Sequence, residues 1–213
     1  MTDVVLLPYQ LLQDSAFDIQ AEITNALSEN LFRKINTDFT TGDGSSKPTG
    51  IVTASAAGVT AASATGISYV DLVKLEHSVD RAYRIVVGSM GAGFMMNDST
   101  LSAIKQLLDS NNRPLFIAGG VTGDLSQKAP DTILGYPVFV NNDMAAVGAG
   151  NKSVLFGAFK KYKIRRVRGV GLINMNERYA EKLQVGVLAY QRYDGNLVNA
   201  GTNPIKRLTH PTS

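Results

Sequence analysis

The amino-acid sequence predicts an α+β fold. Apolar residues recur at helical spacing in the first half of the chain, whereas short apolar runs bounded by turn residues fill the second half. Strands and helices do not alternate regularly, so a parallel α/β sheet is not indicated. The 213 residues, 44% of them apolar and 18% charged, suffice for one large domain or two small interlocked ones and exclude a generally disordered chain.

The composition also excludes several classes of function. Cysteine is absent, which rules out disulfides, thiolate zinc sites and thiol catalysis. The two histidines, His77 and His210, lie far apart in the sequence and argue against a multi-histidine metal site or a histidine-based triad. We expect His77 to be exposed and His210 to lie in a mobile tail. No apolar run reaches about 18 residues, so no membrane helix is predicted. A net charge of +3 does not by itself indicate a nucleic-acid-binding protein.

The first 40 residues predict a strand followed by a long helix. Residues 1–12 are typical of a short strand, and Pro8 confines it to a sheet edge or a strand start. From residue 12 to about residue 35 the apolar residues are three and four apart, which predicts a helix of roughly 20 residues. Asp14 or Ser15 can cap its first turn.

The middle of the chain predicts two loops, a helix and a strand. Residues 40–50 and 53–66 are rich in small polar residues, which indicates loops. Ser68 is a cap for a second helix, with Asp71 three residues later. Residues 93–97 predict a short buried strand.

A third helix and a series of strands complete the predicted fold. Asn97 or Asp98 caps a helix that continues to about residue 111. Beyond it, short apolar runs separated by turn residues predict strands within residues 114–119, 133–140, 153–159, 162–173, 183–193 and 205–210.

The glycine-rich segment at residues 42–47 superficially resembles a phosphate-binding loop. A P-loop needs its lysine directly after a glycine and at the start of a helix. Here Lys47 follows Ser46 and precedes Pro48, which disfavours helical backbone at Lys47. The segment therefore predicts a structural turn.

Three acidic residues, Asp14, Asp18 and Glu22, are spaced four apart and share one face of the predicted helix. One interpretation is a metal site or an acid–base pair. The other is an acidic stripe that faces solvent or a partner. No histidine or further carboxylate cluster lies nearby in the sequence, which favours the second interpretation.

A basic cluster is the strongest electrostatic feature of the sequence. On a predicted strand, alternation would place Tyr162 and Ile164 on one face and the neighbouring basic residues on the other. The cluster comprises Lys160, Lys161, Lys163, Arg165, Arg166 and Arg168. Three interpretations remain open: a solvated strand face, docking against an acidic surface of a neighbouring subunit such as the 14/18/22 stripe, or phosphate contact without base readout. None of them is catalysis, and the residues show no recognisable active site.

Five segments, taken in order, resemble a known family. The first holds G-D-G-x-x-x-P-x-G-I after the long helix, and later ones hold L-G-x-P-V, G-x-F-x-x-Y-x-I and R-x-D-G. They span residues 11–51, 94–116, 132–145, 154–172 and 190–208. Together they resemble the major capsid proteins of tailed phages, which have the Hong Kong 97 fold.

The resemblance implies a fold of two lobes and a structural function. A peripheral lobe would comprise residues 1–40 and 158–188, with the long spine helix and the long strands. An axial lobe would comprise residues 41–157 and 189–213. The chain would be a subunit, not an enzyme, that self-assembles as pentamers and hexamers into an icosahedral shell around double-stranded DNA.

The resemblance also implies partners and a location. Copies of the chain itself would be the main partners, with scaffold, portal and maturation protease as further ones. Contact with packaged DNA would be non-specific, no cofactor is implied, and the chain would reside in the virion capsid after assembly in the host cytoplasm. The candidate subunit-interface residues are Asp14, Asp18, Glu22, Lys160, Lys161, Lys163, Arg165, Arg166 and Arg168.

One departure from the family and two alternative functions follow. Family members carry an N-terminal arm and an extended loop before the segment that begins here near Leu6, so we expect a C-terminal core without them and without Lys–Asn crosslinks. The first alternative is an encapsulin-like compartment shell that encloses enzymes. The second is a hydrolase built around Asp14, Asp18 and Glu22, for which a metal titration is the test.

Overall fold

The computed structural model describes residues 2–14, 19–84, 91–108, 111–112, 132–167, 169–198 and 203–212. The helices in these ranges are α1 (Tyr9–Asp14), α2 (Ile19–Thr41), α3 (Ile51–Ala54), α4 (Tyr69–Ser78), α5 (Arg81–Arg84) and α6 (Asp98–Lys105). The strands are β1 (Thr2–Pro8), β2 (Ala56–Thr60), β3 (Gly93–Met96), β4 (Thr132–Ile133), β5 (Tyr136–Val140), β6 (Lys152–Gly157), β7 (Tyr162–Arg166), β8 (Gly171–Met175), β9 (Gln184–Tyr190), β10 (Tyr193–Leu197) and β11 (Ile205–Thr209). Within the described ranges, every helix is too short or too polar to cross a membrane.

The described strands form three sheets. Six strands pair in the order β2-β11-β6-β3-β5-β4, with β11 parallel to β2 and β3 parallel to β5. Three strands pair antiparallel in the order β1-β9-β8, and β10 pairs antiparallel with β7. Helices early and strands late thus give the predicted α+β class.

The six-stranded sheet carries the main core. Phe94, Phe156 and Leu208 from its strands are buried together with leucines of α4 and α6. Both helices begin where the sequence predicts. Ser68 and Asp71 form a reciprocal capping box at α4, and the Asn97 side chain accepts from the backbone of α6.

Helix α2 is the long beam of the fold. Its 23 residues span about 35 Å. One stripe at four-residue spacing, Leu27, Leu31, Ile35 and Phe39, is buried along its length. Leu27 packs against the β1-β9-β8 sheet, whereas the other three pack with Tyr162, Val170 and Tyr193. One helix therefore supports both the three-stranded sheet and the β7-β10 ribbon.

The structure corrects the predicted boundaries near both ends of the long helix. Strand β1 ends at Pro8 and is an edge strand, as predicted, but residues 9–14 form α1 instead of continuing the strand. Asp14 is the last residue of α1, so it does not cap the long helix, and Ser15 lies outside the described residues. At its other end, α2 extends to Thr41, beyond the predicted end near residue 35.

Three further expectations are wrong. The predicted loop at residues 53–66 contains β2, because β11 supplies a parallel partner for its backbone. Helix α6 ends at Lys105, not near residue 111. His210, expected in a mobile tail, is 1% exposed. The predicted strand at residues 114–119 lies outside the described residues.

Candidate assembly surfaces

The basic cluster lies on two elements, not on one strand. Lys160 and Lys161 belong to the short 3₁₀ helix Phe159–Lys161, whereas Lys163, Arg165 and Arg166 lie on β7. All are exposed except the half-buried Lys161, and Arg168 lies outside the described residues. The 3₁₀ turn therefore separates the first two lysines from the basic residues of the strand.

The β7-β10 ribbon has one face on the helix and one face to solvent. Tyr162 contacts the Phe39 ring edge-on, and the guanidinium carbon of Arg166 lies 6.0 Å from the Phe32 ring. Because strand side chains alternate, Lys163 and Arg165 occupy the opposite face. Asp194 stands directly opposite Arg165 in the register, and Asn196 opposite Lys163. The predicted alternation is confirmed, although Arg166 shares the helix-facing side with Tyr162.

Two tyrosines hold the ribbon on α2. Tyr193 packs edge-on against Phe39 with ring centroids 5.3 Å apart, and its hydroxyl donates to Asp38 over 2.6 Å. The hydroxyl of Tyr162 donates to the backbone carbonyl of Thr49 over 2.9 Å. Burial is the main cause and the negative charge of Asp194 the second cause that raise the pKa of Tyr162 to about 12. For Tyr193, burial is again the main cause and the hydrogen bond to Asp38 the second; together they raise its pKa well above the ordinary value.

Because the pKa values of these tyrosines are raised in the folded state, we expect the free energy of unfolding to fall at alkaline pH. A phenol with a raised pKa in the folded state contributes its full stability below the unfolded pKa near 10 and loses it as pH rises through the folded pKa. Tyr193→Phe is expected to cost about 1 kcal/mol at pH 8, since a half-buried hydrogen bond to a carboxylate is lost, and to make the loss of stability above pH 10 less steep. Urea unfolding at pH 8 and pH 10.5 measures both effects. The exposed control, Tyr69→Phe, should change neither; an unchanged pH slope in Tyr193→Phe would contradict the assignment.

A groove of about 670 Å³ lies between the end of α2, the 44–48 turn and the start of β10. Lys34, Lys47 and Arg192 line it together with Asp38 and Asp194. The glycine-rich segment beside it is a turn, as predicted: Asp43 and Thr49 form a β-bridge, and no helix begins at Lys47. With both signs of charge on its walls, the groove is not a dedicated anion site.

Among the described residues, the acidic candidates form no ion pair with the basic cluster. Asp14 ends α1 and Glu22 lies in the first turn of α2, both exposed, and Asp18 lies outside the described residues. In the described ranges, ion pairs join Arg33 to Glu29 and Arg84 to Glu76, and none joins the acidic to the basic candidates. Nor do the described residues bring together three metal-ligating side chains in one place.

A buried serine–histidine pair was missed by the sequence analysis. His210 Nε2 lies 2.7 Å from Ser153 Oγ, within the reach that a nucleophile and its base require. However, both residues are almost fully buried, and among the described residues the partner of His210 Nδ1 is the backbone carbonyl of Ser63, 2.9 Å away, instead of a carboxylate. The Ser63 carbonyl can only accept, so Nδ1 carries a proton, and in the neutral imidazole Nε2 accepts from Ser153. A substrate cannot reach this pair, and its role is to tie the 61–66 loop to β6.

Comparison with known protein families shows to which family the chain belongs. The model of the phage capsid family matches residues 3–209. The chain belongs to the phage capsid family. It is therefore a structural protein, a major capsid subunit.

Solved structures of phage capsids share the fold. The capsid of a native GTA particle, computed with C5 symmetry, is 25% identical with a TM-score of 0.82, over 99% of this chain and 72% of that one. A chain of Microbacterium phage Oxtober96 is 19% identical with a TM-score of 0.75, over 99% and 71%. The holo encapsulin complex of Synechococcus elongatus is 13% identical with a TM-score of 0.67, over 98% and 72%, which shows the fold alone. No curated protein matches the sequence.

Proposed function

We propose that this capsid-family subunit assembles as pentamers and hexamers into an icosahedral shell around double-stranded DNA. The observation that carries the proposal is the fold match over 99% of the chain to a capsid with five-fold symmetry, at the highest TM-score reported above. A shell of this kind needs many modest contacts that close by symmetry, not one tight interface. Scaffold, portal and maturation protease would assist assembly in the host cytoplasm, and the finished subunit would reside in the virion.

Two lobes follow from the same proposal. Residues 1–40 and 158–188 would form the peripheral lobe, and residues 41–157 and 189–213 the axial lobe. The sheets support this division, since β1, β8 and most of β9 fall in the first set and all six strands of the large sheet fall in the second. The β7-β10 pairing crosses the proposed boundary and would connect the lobes.

Within the shell, the acidic residues Asp14, Asp18 and Glu22 would contact the basic cluster of a neighbouring copy. Support comes from exposure and from the lack of partners: Asp14, Glu22, Lys163 and Arg165 face solvent, and none of them forms an ion pair in the described chain. The cluster's interpretation as a phosphate-contacting surface remains the competing proposal.

Charge reversal tests this contact. Arg165→Glu is expected to raise the threshold concentration for assembly about fivefold, because an exposed attraction worth about 0.5 kcal/mol becomes a repulsion of similar size. Adding Glu22→Lys should restore most of the loss, and 0.5 M salt should shrink the difference. Sedimentation of assembled from free protein measures the threshold. The control Lys74→Glu makes the same charge change at an exposed residue of α4; an equal effect there, or no rescue, would count against the pairing.

The shell itself is tested by microscopy and by its contents. Negative-stain images of the protein expressed with its assembly partners should show closed particles, and these should protect DNA from nuclease. The encapsulin-like alternative, favoured only by the fold likeness above, predicts closed particles that hold protein cargo and no protected DNA. Absence of any ring or shell, with scaffold supplied, would overturn both.

A further inference from the structure

Two adjoining cavities beside the end of α4 are lined by basic side chains. Among the described residues, His77, Arg81, Arg84 and Tyr136 line a cavity of about 370 Å³. The second cavity, of about 540 Å³, shares the histidine and both arginines and is also lined by Lys206. We call the two cavities together the arginine site. From its charge and its hydrogen-bond donors we infer that the subunit binds a phosphate group carried by a small molecule.

Positive charge is in excess at the arginine site. Arg81 and Arg84 are three residues apart in α5 and so lie on the same side of it. Arg81 is exposed and forms no ion pair within the described chain. Glu76 lies 3.6 Å from Arg84 but lines neither cavity. Asp80 is the one acidic residue among the described lining residues, so three cations share the site with one carboxylate.

The Arg84 guanidinium is incompletely hydrogen-bonded. Its Nη1 lies 3.2 Å from Nδ1 of His77. Because arginine can only donate, His77 Nδ1 accepts, and in the neutral imidazole Nε2 is left as a further donor. The Nε of Arg84 is buried and has no acceptor, which costs stability. A turn of the guanidinium toward the cavity would pair Nε and Nη2 with two oxygens of one phosphate, the bidentate geometry that arginine favours.

Charge and access together specify the ligand. A phosphate monoester carries a charge of about −1.5 to −2 at pH 7, which suits three cations better than the single charge of a carboxylate does. The Arg84 side chain is only 18% exposed, so a ligand must enter the cavity to reach it. A phosphodiester of duplex DNA carries a nucleoside on each side and is kept at the surface. Cavities of this size are typical of small-molecule sites.

Calorimetric titration of the free subunit with inorganic phosphate tests the site. With chloride exchanged for phosphate at constant ionic strength and pH 7.5, we expect a Kd of about 1 mM. Arg81→Gln should weaken binding about tenfold, because a charge-assisted hydrogen bond is lost. The control Arg192→Gln makes the same charge change at an exposed arginine of the groove beside β10 and should change the Kd less than twofold. Equal weakening in both variants, or no binding by the wild type up to about 20 mM phosphate, would overturn the inference.

A gain of affinity gives a test that misfolding cannot imitate. Asp80→Asn should tighten phosphate binding about threefold, because it removes the carboxylate from the wall of the site. The asparagine oxygen can still accept from the Ala82 N–H, as the Asp80 carboxylate does. Arg84→Lys keeps the positive charge beside Glu76 but loses the bidentate geometry, and it should weaken binding about tenfold. Unchanged affinity in both variants would contradict the assigned geometry.

Competition experiments distinguish the possible sources of the phosphate group. Glycerol 3-phosphate should displace inorganic phosphate, as followed by ³¹P line width, whereas acetate and a short DNA duplex should not. Acetate binding as tightly as phosphate, or displacement of phosphate by the duplex, would overturn the assignment to a small phosphate ligand. Binding to the free subunit does not require assembly. Phosphate binding without shells would therefore contradict only the proposed function, and shells from a subunit that binds no phosphate would contradict only this inference.

Discussion

Replacing Phe156 with alanine is expected to lower the free energy of unfolding by about 3 to 5 kcal/mol, the range for large aromatic residues removed from a core. Phe156 lies at the centre of the six-stranded sheet and is fully buried. Its ring lies 4.5 Å from that of Phe94 and 5.0 Å from that of Tyr136, measured between centroids. The surrounding strands are paired on both sides, so the cavity cannot close by a small shift.

Urea unfolding followed by circular dichroism measures this loss. Phe32→Ala is the matched control, because Phe32 lies on the exposed side of α2. Of the ring–ring and cation–ring contacts among the described residues, Phe32 makes only the one with the Arg166 guanidinium. Its loss should be about 1 kcal/mol. A difference of less than 1 kcal/mol between the two variants would show that the Phe156 ring is not central to the core. The same destabilisation should lower the yield of any assembled shell, since assembly requires the folded subunit.

The sequence predicts those elements of the fold whose signals are local. The start of α4 follows from Ser68 and Asp71, which satisfy each other's backbone groups within four residues. Strand β3 follows from a short apolar run between turn residues. By contrast, β2 is flanked by small, uncharged residues and becomes a strand only because β11, about 150 residues later, pairs with it. No local pattern carries that information.

The candidate surfaces, like the fold, are predictable from the sequence only in part. The basic cluster is evident from composition, but only tertiary structure shows that Arg166 lies over Phe32 while Lys163 and Arg165 remain free of ion pairs among the described residues. The burial of His210 is not predictable either, because its partners Ser153 and Ser63 are 57 and 147 residues away. Strand register is hidden from the sequence as well: Leu172 and Ile173 are both apolar, and the sequence alone does not show which of them lies on the α2 side of the sheet.

The joint between α2 and α3 is expected to be nearly as sensitive as the core. The Gly42 N–H donates to the Asp38 carbonyl at the end of α2, and the Gly42 carbonyl accepts from Gly50 over 2.9 Å. A Cβ at Gly42 would overlap the carbonyl oxygens of Asp38 and Pro48. Backbone atoms cannot move aside as a flexible side chain can, so Gly42→Ala is expected to cost about 3 kcal/mol, the upper part of the overpacking range.

Gly50→Ala provides an internal check on this joint. A Cβ there would lie 2.5 Å from the Gly42 nitrogen and 2.6 Å from the Thr40 carbonyl oxygen, so it breaks the same contact from the other side. Once one substitution has separated the two backbone segments, the second substitution causes little further steric overlap and so little further loss of stability. The double variant should therefore lose clearly less stability than the sum of the two single losses. Gly169→Ala, where a Cβ meets nothing within 4 Å, should stay within about 0.5 kcal/mol of the wild type. Additive losses in the double variant, or a loss under 1 kcal/mol in Gly42→Ala, would show that this joint does not fix α2 against the rest of the subunit.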